Sequence, residues 1–389
     1  MRVIITVGTY YPLIDGVQKV TEYLAEGLAT KGHEVVVVTR RLDNLAEFEK
    51  FKNVEIFRVN IDTIHAIHIG DVDGYRTLIK KLCNDADVLV TVCTQIATTD
   101  TLYPIMNEIK CKKILFMHGM YHFEWAKRNI DSLANLGHKI WNNTRWRLLY
   151  TKRNFFKGYD RIVQIHRFDG AYDFVYKKYG VKSDILENAV DDMFFNKTDG
   201  DVKITGRYAV NVSNYLKGKR QIDTVISFYK ADIKDLSLVL IGGNKNDYYQ
   251  KIEEVIADCE NIYGHKDVQL LTGIDRERIA LYVQKAEMFL LNSEFEVFPV
   301  CLCEAMAAGT PFISTNVGVA RFMPGGAVVS NIEEMVYWIR LLAGNDTVRK
   351  EMGLAGYEYA VKHFKIENKV LQLEKLLMET AVTRGFSYE

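Results

Sequence analysis

At 389 residues the chain exceeds what one ordinary hydrophobic core supports, and domain-size scaling makes two domains the starting expectation. Its 50 basic and 50 acidic side chains cancel, so no global field attracts nucleic acid and any electrostatic recognition is local. The six cysteines, Cys83, Cys93, Cys111, Cys259, Cys301 and Cys303, form no CxxC pair and no Cys/His cluster of metal-ligand spacing. That argues against structural zinc and for a reducing compartment.

The opening MRVIITVGTYYPL has strand character without the long apolar core or cleavage site of a signal peptide. No segment approaches the ~20 apolar residues of a membrane span. A cytoplasmic protein is expected, at most peripheral on the inner face of a membrane.

Short β-branched runs alternate with helical patterns, as in parallel sheets covered by helices on both faces. Strands are predicted over 3–7, 34–39, 54–59, 88–92, 113–117, 161–165 and 184–186. A helix over about 17–31 places Val17, Val20, Leu24 and Leu28 on one face and ends at Gly32. A second series of strands falls at 209–212, 237–241, 268–271, 288–291 and 312–314. The polar, Gly-punctuated stretch FNKTDGDVKITG, 195–206, reads as a hinge. The domains are then 1–195 and 206–365, with the helical sequence of about 366–389 free to pack back on the first. The fold class is α/β.

In open α/β sheets ligands bind outside the carboxyl ends of strands, so the residues after each strand carry the functional signal. The strongest follows the strand ending at Leu291: NSEFEVFPVCLCEAMAAGTPFIST. Seven residues separate Glu296 from Glu304, Pro299 stands where a helix should begin, and Gly309 closes that helix. A helix N-terminus offers unpaired N–H groups and partial positive charge to a diphosphate. Glu304 lies ~7.5 Å along the axis from Pro299, where a carboxylate can accept both vicinal hydroxyls of a ribose. Glu296, just before the helix, can reach a sugar on the other side of the phosphates.

This segment, through Ser293, Glu296, Phe298, Glu304, Ala305, Met306, Gly309 and Pro311, resembles the Glu-seven-residues-Glu signature of retaining glycosyltransferase family 4. The resemblance implies the GT-B architecture: two Rossmann-like domains facing each other across a cleft. It also implies that Glu296 contacts the transferred sugar and Glu304 the ribose, with Phe298, Pro299 and Val300 at the donor. The family usually has glycines where this chain has Val297 and Pro299, so one backbone donor to the sugar is absent.

Other positions follow in the family's order. Tyr10, Tyr11, Pro12, Asp15, Gly16 and Val17 resemble its Gly-rich loop, which puts Gly16 near the donor phosphates and Tyr10 and Asp15 on the acceptor side, where Tyr121 is also expected. His118 resembles the family histidine beside the anomeric centre, with His122 a weaker competitor. Glu187 to Asp191 resembles the turn that ends the first domain. In NVSNYLKGKRQIDTVISF, Lys219 matches the lysine that neutralises the leaving diphosphate, but Asn214 replaces an arginine and Arg220 a glycine. Stabilising a departing diphosphate takes cations, so Arg220 first and Lys217 second are expected to offset the lost arginine. Gly242, Gly243, Gly273 and Ile274 mark backbone approaches to the diphosphate and base.

The implied activity is metal-independent, retaining transfer of a hexose or N-acetylhexosamine from a nucleoside diphosphate sugar to a glycan or lipid-linked acceptor, in bacterial surface polysaccharide or glycoconjugate synthesis. No cofactor is expected. A UDP-sugar ranks ahead of a GDP-sugar, although backbone contacts leave the base open. The stretch 125–157, dense in Arg, Lys, Trp, Tyr and Phe, reads either as a surface for anionic lipid or as a helix packed on its own domain. Rival readings are a nucleotide-sugar epimerase or phosphorylase of the same shape, and a degenerate non-catalytic subunit.

Overall fold

The computed structural model describes residues 1–13, 16–64, 66–120, 132–152, 154–168, 170–197 and 200–382. The chain forms two compact units, 1–187 with 367–389, and 188–366.

The first unit is built on β1 (Arg2–Val7), β2 (Glu34–Arg40), β3 (Phe48–Phe51), β4 (Val54–Val59), a hairpin of β5 (Ile61–Ile64) and β6 (Ile67–Gly70), β7 (Val88–Val92), β8 (Lys112–Met117), β9 (Arg161–Gln164) and β10 (Asp184–Ile185). Its helices are α1 (Gly16–Thr30), α2 (Val72–Leu82), α3 (Ala97–Asp100), α4 (Leu133–Arg147) and α5 (Gly170–Tyr179). The main sheet runs β10-β9-β8-β7-β1-β2-β4-β3. Every pairing in it is parallel except β3 with β4. RVIITV, EVVVVTR and VLVTV are apolar nearly throughout because both faces of their strands are covered.

The pattern reading missed β3 and the β5–β6 hairpin. FEKF alternates only weakly, and its turn into β4 is made by Lys52 and Asn53, both at positive φ (47° and 64°). Such a turn is normally signalled by Asn-Gly or Asp-Gly, and Lys-Asn lacks that signal.

The second unit carries β11 (Arg207–Val212), α6 (Gln221–Ala231), β12 (Leu236–Gly242), α7 (Asp247–Tyr263), β13 (Val268–Thr272), α8 (Arg276–Lys285), β14 (Met288–Leu291), α9 (Val300–Ala307), β15 (Phe312–Thr315), β16 (Gly326–Val329), α10 (Ile332–Gly344) and α11 (Asp346–His363). Its sheet is parallel throughout, in the order β13-β12-β11-β14-β15-β16, the doubly wound order of a Rossmann fold. The edge strand β16, only GAVV, was not anticipated. The segment on either side of Phe195 is tied to this unit, since Gln284 Nε2 donates to the carbonyls of Met193 (2.8 Å) and Asn196 (2.7 Å).

The last helix, α12 (Ile366–Val382), returns to the first unit. Glu374 accepts from His33 at 2.8 Å, Glu379 from Arg161 at 3.0 Å, and Gln372 donates to the Ile185 carbonyl at 2.6 Å. Gly27 of α1 lets Val370 approach so closely that a Cβ would stand 2.3 Å from its Cγ2.

The basic and aromatic stretch is not one continuous helix. After α4 the backbone widens into a π-turn segment, Leu148–Lys152, and Asn154 adopts a left-handed conformation (φ 52°) before a short 3-10 turn, Phe155–Gly158. Ile140, Trp141 and Leu148 are exposed, but Trp146, Tyr150, Phe155 and Phe156 are buried in an aromatic cluster. The single amphipathic face read from helical spacing therefore splits, with Phe155 and Phe156 turned into the core.

Candidate active site

In each sheet the strand order reverses beside the unit's first strand, between β1 and β7 and between β11 and β14. Clefts at such reversals, beyond the carboxyl ends of the strands, are where α/β sheets bind ligands.

In the second unit the loops leaving β11 and β14 are laced together. Asn211 Nδ2 donates to the Leu290 carbonyl (2.7 Å) and Ser213 Oγ to Asn211 Oδ1 (2.8 Å). The buried amide of Gln221 donates to the Asn214 carbonyl at 2.9 Å. Glu294 N donates to the Gly218 carbonyl at 2.8 Å. On that frame Lys219 Nζ donates to Glu296 Oε1 at 2.5 Å, with the side chains 28% and 15% exposed. The cation and the carboxylate expected at the donor thus hold each other.

Three residues past Glu296, Pro299 caps α9 with no side-chain hydrogen bond, and the first turn carries no acid. Val300 is the first helical residue rather than Pro299. The N–H groups of Val300 and Cys301 take no hydrogen-bond partner among the described residues, which leaves them to an anion. The Cys301 thiol is pushed up, first by burial and then by Glu296, with Lys219 opposing and Glu304 adding. Both carboxylates and the lysine therefore lie within electrostatic reach of one side chain in the first turn of α9.

Glu304 is 3% exposed and forms an ion pair with Arg276. Burial raises its carboxyl above the usual range, and Arg276 opposes that rise. Arg276 was not singled out from sequence, because the pair spans 28 positions and neither residue signals the other.

The glycines divide by role. Gly242 lies under the Tyr215 ring, where a Cβ would come within 2.5 Å, and Gly273 takes φ +67° ahead of Ile274 and α8. Asn214 is exposed, with its Oδ1 over Gly243. Phe298 is buried, stacked edge-on to Phe364. Arg220 caps α6 in a left-handed conformation (φ 52°) and pairs with Asp223 of that helix at 2.5 Å. Its charge is already matched locally. Lys217 is exposed and makes no ion pair among the described residues.

Gly318, also missed, adopts φ +50°, and a Cβ there would sit 2.2 Å from the Val297 carbonyl oxygen. Gly318→Ala therefore strains its own backbone and pushes the 296–297 loop away. The expected result is a fall of roughly 2–10 °C in Tm, measured by calorimetry.

In the first unit, Asp15, Tyr121 and His122 lie outside the described residues. Gly16 is the exposed first residue of α1. Tyr10 is 3% exposed with its hydroxyl enclosed. A cavity of about 320 Å³ opens at the β1/β7 reversal, lined by Gly8, Thr9, Arg40, Asp62, Cys93 and Thr98 among others. Arg40 and Asp62 pair there at 2.7 Å. Sequence reading passed over both, since Asp62 belongs to the unanticipated hairpin.

His118 follows β8 and packs on Phe116, ring centroids 4.4 Å apart. Its Nε2 is enclosed without a hydrogen-bond partner among the described residues. Burial lowers its pKa from 6.5 to about 3. The unfolded chain then binds the proton first, so stability is complete above about pH 6.5 and declines as pH falls toward 3. His118→Phe is expected to flatten that decline, read from urea midpoints at neutral and acidic pH.

Residues 14–192 match the model of "Glycosyltransferase Family 4" and residues 197–323 that of "Glycosyl transferases group 1". The N-acetyl-alpha-D-glucosaminyl L-malate synthase of Bacillus anthracis is 29% identical over 192 residues, 48% of this chain and 49% of that protein. The match thus spans about half the length of that relative. The sucrose-phosphate synthase of Thermosynechococcus elongatus superposes with a TM-score of 0.75 at 15% identity, over 97% of this chain and 98% of that one. Anabaena HepE, solved with UDP and glucose, superposes with a TM-score of 0.69 at 12% identity, over 97% and 100% of the two chains.

Proposed function

Because the chain belongs to glycosyltransferase family 4, we propose that it moves a hexose or N-acetylhexosamine, with retention and without a metal, from a nucleoside diphosphate sugar to a glycan or lipid-linked acceptor. The observation that carries this reading is the Lys219–Glu296 pair set before an uncapped helix that also carries Glu304. A diphosphate there would meet the free N–H groups of α9 and the Lys219 ammonium, and Glu296 would be released to the transferred sugar. Glu304 would take the ribose, and the chain past Gly273 and Ile274 the base.

UDP is preferred as the nucleotide; HepE, which shares the fold, was solved with UDP and glucose. His118 is assigned to the transferred sugar, and the acceptor to the first unit, where the Arg40–Asp62 cavity offers both charges to a polar group. Arg145, Arg147, Trp141 and Leu148 on and after α4 favour a lipid-linked acceptor presented at an anionic inner membrane face. Surface polysaccharide or glycoconjugate synthesis is the process such an acceptor fits.

A thermal-shift screen of UDP- and GDP-sugars tests the reading, since a ligand that binds only the native state raises Tm by mass action. One nucleotide sugar is expected to shift Tm, and to be consumed when a polar-lipid or glycan fraction is added. No shift with any nucleotide sugar at millimolar concentration would overturn it.

A further inference from the structure

Resting on the reading of Glu304 as the ribose ligand, we propose that Arg276 is the positioning residue of nucleotide recognition. Its guanidinium holds one oxygen of the Glu304 carboxylate so that the other meets the vicinal hydroxyls of the ribose.

Arg276 is fixed at both ends. Its backbone opens α8, where Asp275 caps the helix by accepting from Arg278 N at 2.8 Å, just after the left-handed turn at Gly273. Its guanidinium lies over the buried ring of Phe194, 5.0 Å from the centroid, and pairs with Glu304 Oε1. A stacked, ion-paired guanidinium is pre-organised as an ammonium would not be. Glu304 Oε2 accepts no hydrogen bond from a described residue. One carboxylate oxygen is thus occupied by the protein and the other is left to a ligand.

The pair also answers an electrostatic problem. The Glu304 side chain is 4% exposed, and besides Arg276 the charged group acting on it is Asp191, which disfavours its ionisation, while the Cys301 thiol lies in range on α9 itself. A carboxylate taken from water without a cation protonates instead. A protonated Glu304 would present one acceptor fewer to two hydroxyls. The ribo-selective character of the site therefore depends on Arg276, a residue outside the Glu-seven-residues-Glu segment.

The test is calorimetric titration of UDP, GDP and their 2′-deoxy counterparts into the unmodified chain, Arg276→Ala, Arg276→Lys, Glu304→Gln and the double variant Arg276→Ala/Glu304→Gln. Arg276→Ala is expected to weaken the ribonucleotide that binds by about tenfold, to bring the ribo-to-deoxy affinity ratio near one, and to move the acid limb of binding to higher pH. Arg276→Lys should restore part of the ratio. In the Glu304→Gln background, Arg276→Ala should cost little more.

Ribonucleotide binding in Arg276→Ala that is unchanged or tighter overturns the inference and leaves the parent reading intact. So does an equal loss for ribo and deoxy forms with no movement of the acid limb, because that is what a merely structural role produces. Failure of the unmodified chain to bind either diphosphate removes the parent reading and this inference with it.

Discussion

Lys219→Ala is expected to lower kcat/KM for sugar transfer by about 10²–10³-fold and to weaken nucleoside diphosphate binding, because it removes a cation aimed at charge that grows on the leaving group. The ammonium stands at the β11 side of the strand-order reversal, on a loop pinned by the Gly218–Glu294 backbone bond. Arg220 cannot readily replace it, since it pairs with Asp223 and caps α6. The same substitution leaves Glu296, 15% exposed, without its partner. Repulsion between that carboxylate and a diphosphate then adds to the loss. Steady-state kinetics with calorimetric titration of UDP checks both parts; a variant with near-normal kcat/KM would remove Lys219 from the donor site.

The second expectation has an opposite signature in binding. Glu296→Gln should lower kcat by about 10²-fold or more, through loss of a charged contact to the transferred sugar that matters most in the transition state. Yet it should leave UDP affinity unchanged or a few-fold tighter. The Glu296 carboxylate competes with a diphosphate for the Lys219 ammonium. Removing the carboxylate frees the lysine for the diphosphate. A parallel loss of kcat and UDP affinity would instead mean that Glu296 builds the nucleotide pocket. Measuring the two quantities on one preparation separates the roles.

How much of this was legible in the sequence depends on range. The β14–α9 segment was readable because strand, loop, proline, helix and closing glycine follow one another within about 20 residues, so local rules specify them together. The doubly wound character was readable from apolar β-branched runs that only two-sided burial explains. What escaped was non-local or weakly patterned. The Arg276–Glu304 pair and the contact of Gly318 with Val297 join separate loops. The β5–β6 hairpin buries Ile61 but leaves Ile64, Ile67 and Ile69 exposed, so its apolar residues follow no clear alternation. For Tyr10 and Arg220, position in a motif says where the residue stands, but only packing says that one side chain is enclosed and the other paired with Asp223.

The most direct test of the central claim is a crystal structure of the full chain grown with UDP. The pyrophosphate is expected within hydrogen-bond distance of the Val300 and Cys301 N–H groups and of Lys219 Nζ, with the Lys219–Glu296 pair opened and the ribose hydroxyls on Glu304. A UDP molecule seated elsewhere, with the Lys219–Glu296 pair still closed and α9 untouched, would contradict it.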